Sequence, residues 1–590
     1  MQGTSVVARW AACGFIALAL GCTPEAPRFT TSSSSLVLSA DERTLYVTSP
    51  DDDAVVAIDA ETGAEVTRFA VRGAPEQLTW RDAEHLRVTL SQRGAIAEVT
   101  IASAEVSYLD VPCGSTRAVV QLGARTFVSC PDDGRVIELD ASGVVAMREV
   151  GGGPSGLAVY GDQLGVALAR HGALAIIDVS GALSEGVFIE QRIELPEGIA
   201  ASEAEPLTAH PIGGFVFAYQ RVEHDADRSR DPALGGYGQV TDGAPRIEPR
   251  VRSACGQRYA RFDGGALAMS SPSAVAVGGE HLWIAHLATD GVVLARCAPS
   301  DASVNEGALE VITTFRVGRA PRGMAVTRDG RTAFVDNGFD WSISRLDVPS
   351  APASRLDATW TRTRALGPTA LSEMALRGRS LFFDAVDTHL TPSGVVSCGT
   401  CHPRAGEDGL SWFLHTRGIA PKLRRTPPAW AARSALAPYH WDGELTDVAA
   451  LARSTTAELM EGDGLLIDFR AIAAYLEETA TPSPRIEVGE AVARGLAVFE
   501  RAGCGDCHAG PLLADGVLHD VLPPSDDDAA NLPSASTPPL VGVRARAPYF
   551  HDGRAASLED TLAVEGDRHG RTSTMSSDQR DDLVAYLESL

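Results

Sequence analysis

Short alternations of apolar and polar residues, each closed by turn residues, fill the chain from about residue 35 to 350. Thr44-Leu45-Tyr46-Val47-Thr48, residues 54–58 and residues 66–71 read as three strands, joined by Ser49-Pro50-Asp51-Asp52 and Glu61-Thr62-Gly63 turns. One segment recurs closely. Val150-Gly151-Gly152-Gly153-Pro154-Ser155-Gly156-Leu157-Ala158-Val159 matches Val317-Gly318-Arg319-Ala320-Pro321-Arg322-Gly323-Met324-Ala325-Val326, with a weaker echo in Val71-Arg72-Gly73-Ala74-Pro75. In each, a Gly/Pro turn leads into a buried strand. A unit of roughly 40–50 residues with about four strands is the pattern of a β-propeller blade. Residues 37–350 are therefore expected to form an all-β propeller of about seven blades. Residues 225–250, with several Asp and Gly, read as a long loop between blades.

Beyond residue 350 the period changes. Residues 351–372 read as a linker. Met374, Leu376, Leu381, Phe382 and Phe383 then mark a helix running toward Cys398, and Val488, Val492, Leu496 and Phe499 give a second helix one apolar face before Cys504. Downstream, Thr426-Pro427-Pro428 precedes Ala437-Pro438-Tyr439-His440-Trp441-Asp442-Gly443, and Thr537-Pro538-Pro539 precedes Ala547-Pro548-Tyr549-Phe550-His551-Asp552-Gly553. The same unit thus occurs twice, as domains over 373–482 and 483–590, separated near Thr481-Pro482-Ser483-Pro484. The expected fold class is multidomain: a propeller followed by two mainly α domains.

The chemistry lies in those two copies. Each carries Cys-x-x-Cys-His, as Cys398-Gly399-Thr400-Cys401-His402 and Cys504-Gly505-Asp506-Cys507-His508. On one helical turn two cysteines three apart can each form a thioether to a porphyrin, and the next histidine presents its imidazole to the iron. Zinc is the alternative, since a Cys-x-x-Cys pair is half of a zinc site. The immediate His and the repeated surroundings favour two covalently bound c-type haems, so that the two mainly α domains are expected to be cytochrome c-like haem domains.

The N-terminus points to export. Arg9 precedes an apolar run, Ala11 to Leu20, too short to span a bilayer as a mature helix. Leu18-Ala19-Leu20-Gly21-Cys22 resembles a bacterial lipobox, which makes 1–21 a lipoprotein-type signal peptide and Cys22 the lipidated residue, with 22–36 a flexible tether. A plain secretory signal is the alternative. Of ten cysteines, Cys113, Cys130, Cys255 and Cys297 remain after signal, lipid and haem are assigned, and nearest-neighbour disulfides are the expected pairing. The net charge of −26 argues against nucleic acid and anionic membrane surfaces as partners, and favours a basic redox partner. The only membrane contact expected is the lipid anchor, on a periplasmic or cell-surface protein.

The propeller resembles the YncE-like (YVTN) family. The C-terminal part resembles the di-haem cytochrome c peroxidase and MauG family over about 220 residues, with both haem motifs, Thr-Pro-Pro and Ala-Pro-Tyr-Phe-His-Asp-Gly-Arg-x-x-x-Leu-Glu-Asp in the family's order. That resemblance implies a peroxidase-type oxidoreductase. Peroxide or a small organic substrate meets the first haem, and the second, with both axial positions filled, relays electrons from a donor. Carried onto this sequence, it makes His402 and His508 proximal ligands, His415 a displaceable ligand of the first haem, and Trp441 a relay between haems. Glu458 becomes the carboxylate that moves a proton during O–O cleavage. Alternatives stand beside each: His415 as a solvent-facing loop residue, Trp441 as a core anchor, Glu461 in place of Glu458. For the second haem the family's other ligand position falls on Glu565; His569 is the better donor and Met575 the third choice, next to a Ser576/Gln579 capping box. Lys422, Arg424 and Arg425 could pair with propionates, and calcium is a further candidate cofactor. The competing functional reading is a non-catalytic electron-transfer cytochrome with the propeller as docking module.

Overall fold

The computed structural model describes residues 32–224 (save 194, 196, 197 and 211–213), 247–252, 269–297, 309–414 (save 352 and 354), 422–482 and 489–590 (save 526). The leader, Cys22 and His415 lie outside the described residues, as does most of the 225–250 loop.

Seven antiparallel sheets follow one another over 36–70, 75–110, 119–149, 154–192, 199–252, 272–316 and 321–363. They are the blades of a seven-bladed propeller. The recurring Gly/Pro segments open inner strands, Pro75–Trp80, Pro154–Tyr160 and Pro321–Val326, and each shows a register shift just after its proline. Proline has no N–H to give a ladder, so it sits where pairing begins. Leu45, Val47, Val56, Leu78, Val88, Leu157 and Val166 are wholly buried between neighbouring blades. The Cys113–Cys130 disulfide ties the connection between blades 2 and 3 to blade 3, and Cys297 is also disulfide-bonded, while its expected partner Cys255 lies outside the described residues.

Two expectations about the propeller's edges need correction. The stretch read as a linker supplies strands: Leu356–Asp357 runs parallel to blade 6, and Trp360–Thr363 is the outer strand of blade 7. Local turn signals hide this, because the third strand of blade 7 and its outer partner are separated by an excursion to the neighbouring blade. The serine run read as tether is ordered on the propeller axis. Ser33 N–H donates to Leu157 O at 3.2 Å, Leu78 N–H to Ser34 O at 2.8 Å, and the Ser35 hydroxyl to Asp336 at 2.7 Å. Small hydroxyl side chains can satisfy the inner strands of several blades at once, and this holds the first blade against the last.

Seven helices among the described residues build the C-terminal part: α1 Glu373–Phe382, α2 Cys398–Cys401, α3 Val448–Glu458, α4 Phe469–Glu478, α5 Glu490–Ala502, α6 Leu558–Thr561 and α7 Ser577–Glu588. α1 packs on α4, and α5 on α7. Each crossing is made at a glycine: a Cβ on Gly378 would lie 1.8 Å from Ala471 O, and one on Gly495 would lie 1.9 Å from Asp582 O. No helix among the described residues is long and apolar enough to cross a membrane.

This part docks on the propeller face formed by the loops between second and third strands. Arg379 grips Asp51 of blade 1 with two bonds of 2.6 and 2.7 Å, and Trp341 of blade 7 donates to the same carboxylate at 2.9 Å. Arg544 reaches Asp133 of blade 3 at 3.4 Å, and Ala385 N–H donates to Ala288 O of blade 6 at 2.9 Å.

Candidate haem sites

The first motif is held as a capped helical turn. The Thr400 hydroxyl accepts the Ser397 N–H at 3.0 Å at the start of α2, and His402 closes the turn with its N–H to Cys398 O at 3.0 Å. Its imidazole Nδ1–H donates to Gly406 O at 3.1 Å, and burial lowers its pKa, so the ring is neutral. Cys398, Cys401 and His402 bound a cavity of about 290 Å³ with apolar walls from Val396, Trp412, Leu459 and Met460. Blade 5 closes the back: Val222 and Ile247 pack in one apolar cluster with Val396, Trp412, Met460 and both cysteines.

The second copy repeats this geometry and then departs from it. A left-handed Gly503 ends α5, and His508 N–H donates to Cys504 O at 2.9 Å. His508 Nδ1–H donates to Leu513 O and His569 Nδ1–H to Thr561 O, both at 3.1 Å, which leaves each Nε2 lone pair for a metal. The two rings face each other with centroids 6.3 Å apart at 76°. That spacing admits one metal atom bonded to both at about 2.0–2.1 Å. Burial pushes the His508 pKa down to about 4 and lowers that of His569. Met575 packs instead against the apolar cluster of Val498, Phe499 and Leu583, at the start of the capped α7.

The repeat extends to the Ala-Pro-Tyr segments. Both Ala-Pro bonds, Ala437–Pro438 and Ala547–Pro548, are cis, and Tyr439 and Tyr549 pair with Leu445 and Ala555 in matching bridges. Trp441 lines the first cavity and donates from its indole N–H to Arg425 O at 2.8 Å, with its ring 6.3 Å from that of His551. Glu458 ends α3 at the cavity rim, exposed, with the Ser454 hydroxyl donating to it at 2.9 Å. Glu461, partly buried, takes a left-handed backbone conformation three residues on.

The three basic residues at the rim are engaged by protein groups. Lys422 contacts Asp442 at 2.7 Å and Glu444 at 2.6 Å, Arg424 donates to Ala529 O and Asn531 O, and Arg425 forms a two-bonded pair with Glu407 in which both side chains are 3% exposed. Burial raises the Glu407 pKa, but Arg425 and Arg546 outweigh it and the carboxyl is held below its ordinary value. Sequence reasoning missed Glu407 and Asp408, neither of which carries a local motif: Glu407 pairs with Arg425, and Asp408 accepts the Trp412 indole N–H at 2.8 Å.

The residues present fit c-type haem. All four motif cysteines are free of disulfides, and each motif histidine follows the turn that carries them. Among the described residues no group joins both cysteines of a motif to two further ligands: the groups found are Cys507, Asp515 and His519, without Cys504, and His440, Asp442 and Glu444. The latter already holds the Lys422 ammonium.

No family model matches the sequence. Individual relatives do. The chain is 30% identical over 289 residues to the methylamine utilization protein MauG of Methylorubrum extorquens, covering 38% of this chain and 79% of MauG. It is 28% identical over 284 residues to the hydrazine synthase subunit gamma of Kuenenia stuttgartiensis, covering 37% and 78%. It is 25% identical over 276 residues to the cytochrome c551 peroxidase of Nitrosomonas europaea, covering 37% and 80%. With the duplicated haem units, these relationships place the chain in the MauG and di-haem cytochrome c peroxidase family, as an oxidoreductase that carries a β-propeller.

Proposed function

We propose that this is an exported, lipid-anchored di-haem oxidoreductase that reduces peroxide, or oxidises a small substrate, at the first haem and relays electrons through the second. Cys398, Cys401 and His402 would hold one haem, and Cys504, Cys507, His508 and His569 the other. Bound there, haem supplies an iron that accepts electrons and reacts with peroxide. The reading is supported by two arrangements: His508 meets a second imidazole, His569, with ring centroids 6.3 Å apart, and His402 lines a cavity together with Trp441 and Glu458.

The chain's own groups have distinct tasks. His402 is oriented by its bond to Gly406 O, and the blade 5 wall with Trp412 and Met460 excludes water behind the cavity. Glu458, at the rim, would move a proton between solvent and bound peroxide, with Glu461 as the competitor. Trp441 would shorten the path between the sites. His415 and Cys22 keep their proposed roles as displaceable ligand and lipidated residue. The −26 charge favours a basic electron donor in the periplasm or at the cell surface.

The test is low-temperature EPR of the oxidised protein, a pyridine haemochrome count and stopped-flow mixing with hydrogen peroxide. The proposal expects two haems, one low-spin and one with a high-spin population, and a rapid change on peroxide addition. Two low-spin signals with no peroxide reaction in either the fully oxidised or the half-reduced protein would favour the electron carrier.

A further inference from the structure

One strand of blade 5 takes hold of the backbone on two sides of the first haem site. Phe215–Glu223 is nine residues long and pairs with three other strands. From its middle, the wholly buried Gln220 side chain donates to the Ser270 hydroxyl at 3.1 Å, and that hydroxyl donates to Val395 O at 2.6 Å. Val396 follows, lines the cavity and leads into the first motif. At the end of the strand stands His224. Its backbone N–H is anchored on Gly198 O at 3.0 Å, its carbonyl accepts the Phe413 N–H at 2.8 Å, and its ring Nδ1–H donates to Ser411 O at 2.9 Å.

Ser411 and Phe413 flank Trp412 in the strand Ser411–Leu414, which forms a hairpin with Lys422–Arg425. Alternate residues of a strand offer their backbone groups to the same edge. His224 therefore occupies that edge as a neighbouring strand would, with its imidazole N–H in place of a peptide N–H. Phe413 is 6% exposed and Trp412 2%, so a backbone group left unpaired beside them is costly. The imidazole also meets the Trp412 ring edge to face, with centroids 6.4 Å apart at 78°. Trp412 and Leu414 line the first cavity, and Trp412 shares an apolar cluster with Cys398 and Cys401. The second haem unit holds the same strand, because the Ser411 hydroxyl donates to Asp552 O at 2.9 Å.

We infer that His224 is a positioning residue that the propeller supplies to the first haem site: it fixes the strand that places Trp412 and Leu414, and so sets the shape of the cavity. The inference rests on the peroxidase reading of that cavity and gives the propeller a part in it. A histidine that only fastened the propeller to the haem domains would leave the cavity unchanged once they had docked. His224 differs because the residue between its two bonded partners is itself a cavity wall.

The test is a crossed pair of variants in the full-length holoprotein. His224→Phe keeps a ring against Trp412 and loses the donor to Ser411 O; His224→Asn loses the ring and keeps an N–H donor. In His224→Phe, hydrogen exchange should rise across residues 409–414 and the first haem's spin-state bands should shift. Its reaction with hydrogen peroxide should slow about tenfold or more, while the second haem's low-spin EPR signal stays as in the wild type. His224→Asn should keep the wild-type exchange, bands and rate. A folded His224→Phe with all three unchanged, or a His224→Asn as disturbed as His224→Phe, would overturn the inference. Should His224→Phe fail to fold, His224→Asn still decides: wild-type bands support the inference and shifted bands overturn it. A pigmented wild type that ignores peroxide would instead defeat the peroxidase reading beneath it, with the spin-state bands and hydrogen exchange still deciding the role of His224.

Discussion

Trp441 and His551 occupy the same place in the two haem units and meet edge to face, with ring centroids 6.3 Å apart. Arg425 ties them together: its carbonyl accepts the Trp441 indole N–H at 2.8 Å, and its own N–H donates to His551 O at 2.6 Å. His551 is 1% exposed. Duplication has brought equivalent residues to one interface, and only one of them has become an indole.

Replacing Trp441 with Phe keeps a ring at that interface and removes the bond to Arg425 O. Stability should fall by about 1 kcal/mol, read from thermal melts. Under the relay proposal, single-turnover stopped flow should show slower oxidation of the second haem by peroxide. An unchanged rate would leave Trp441 a packing residue.

His569→Ala tests the second haem's sixth ligand. The proposed His508–His569 pair gives a low-spin iron, so the variant should lose that EPR signal and gain a high-spin one. The imidazole meets Phe550 and the Thr561 carbonyl rather than the main apolar cluster. Folding cost should therefore stay within about 2 kcal/mol. Retention of the low-spin signal would hand the role to another donor, with Met575 the first to mutate next.

The duplicated haem unit was legible because covalent attachment and turn geometry demand particular residues at fixed spacing: Cys398, Cys401, His402 and their second copies. The propeller was legible as period-two alternation punctuated by Pro75, Pro154 and Pro321. What escaped depends on contacts remote in sequence. Trp360–Thr363 is a strand only because residues 342–345 lie beside it. Ser33 to Ser35 look like linker until the blades supply their partners. Asp51 and Arg379 stand 328 residues apart in the sequence and form an ion pair only when blade 1 meets the haem domains.

The Asp51–Arg379 pair should report on docking of the haem domains against the propeller. Burial raises the Asp51 pKa, but the bonds from Arg379 and the Trp341 indole outweigh it and leave it below its ordinary 3.8. A depressed carboxylate contributes stability that is present above the unfolded pKa and is lost as pH falls through the folded one. Docking should thus be insensitive to pH between about 5 and 8 and loosen only in stronger acid. Arg379→Ala leaves a mostly buried carboxylate without its cation and should cost about 3 kcal/mol. A double mutant with Asp51→Ala should recover part of that loss. Differential scanning calorimetry of Arg379→Ala, Asp51→Ala and the double mutant checks both statements, and additive losses would mean the pair is not coupled.

Gly378 and Gly495 make the same demand in the two haem units. With no Cβ at these sites, α1 can lie against the Ala471 carbonyl and α5 against that of Asp582. An added methyl at 1.8 or 1.9 Å cannot be absorbed by a rotamer change, because the obstacle is backbone, so the helices must separate. Overpacking of this kind costs about 1–3 kcal/mol. Gly378→Ala moves α1, whose Phe382 ring lies 6.3 Å from that of His402, and should disturb the first haem's spectrum. Gly495→Ala moves α5, which ends at Gly503 just before Cys504, and should disturb the second. Paired visible spectra and melts of the two variants separate these effects. Loss of stability with both haem spectra unchanged would show that the helix crossings are independent of haem geometry.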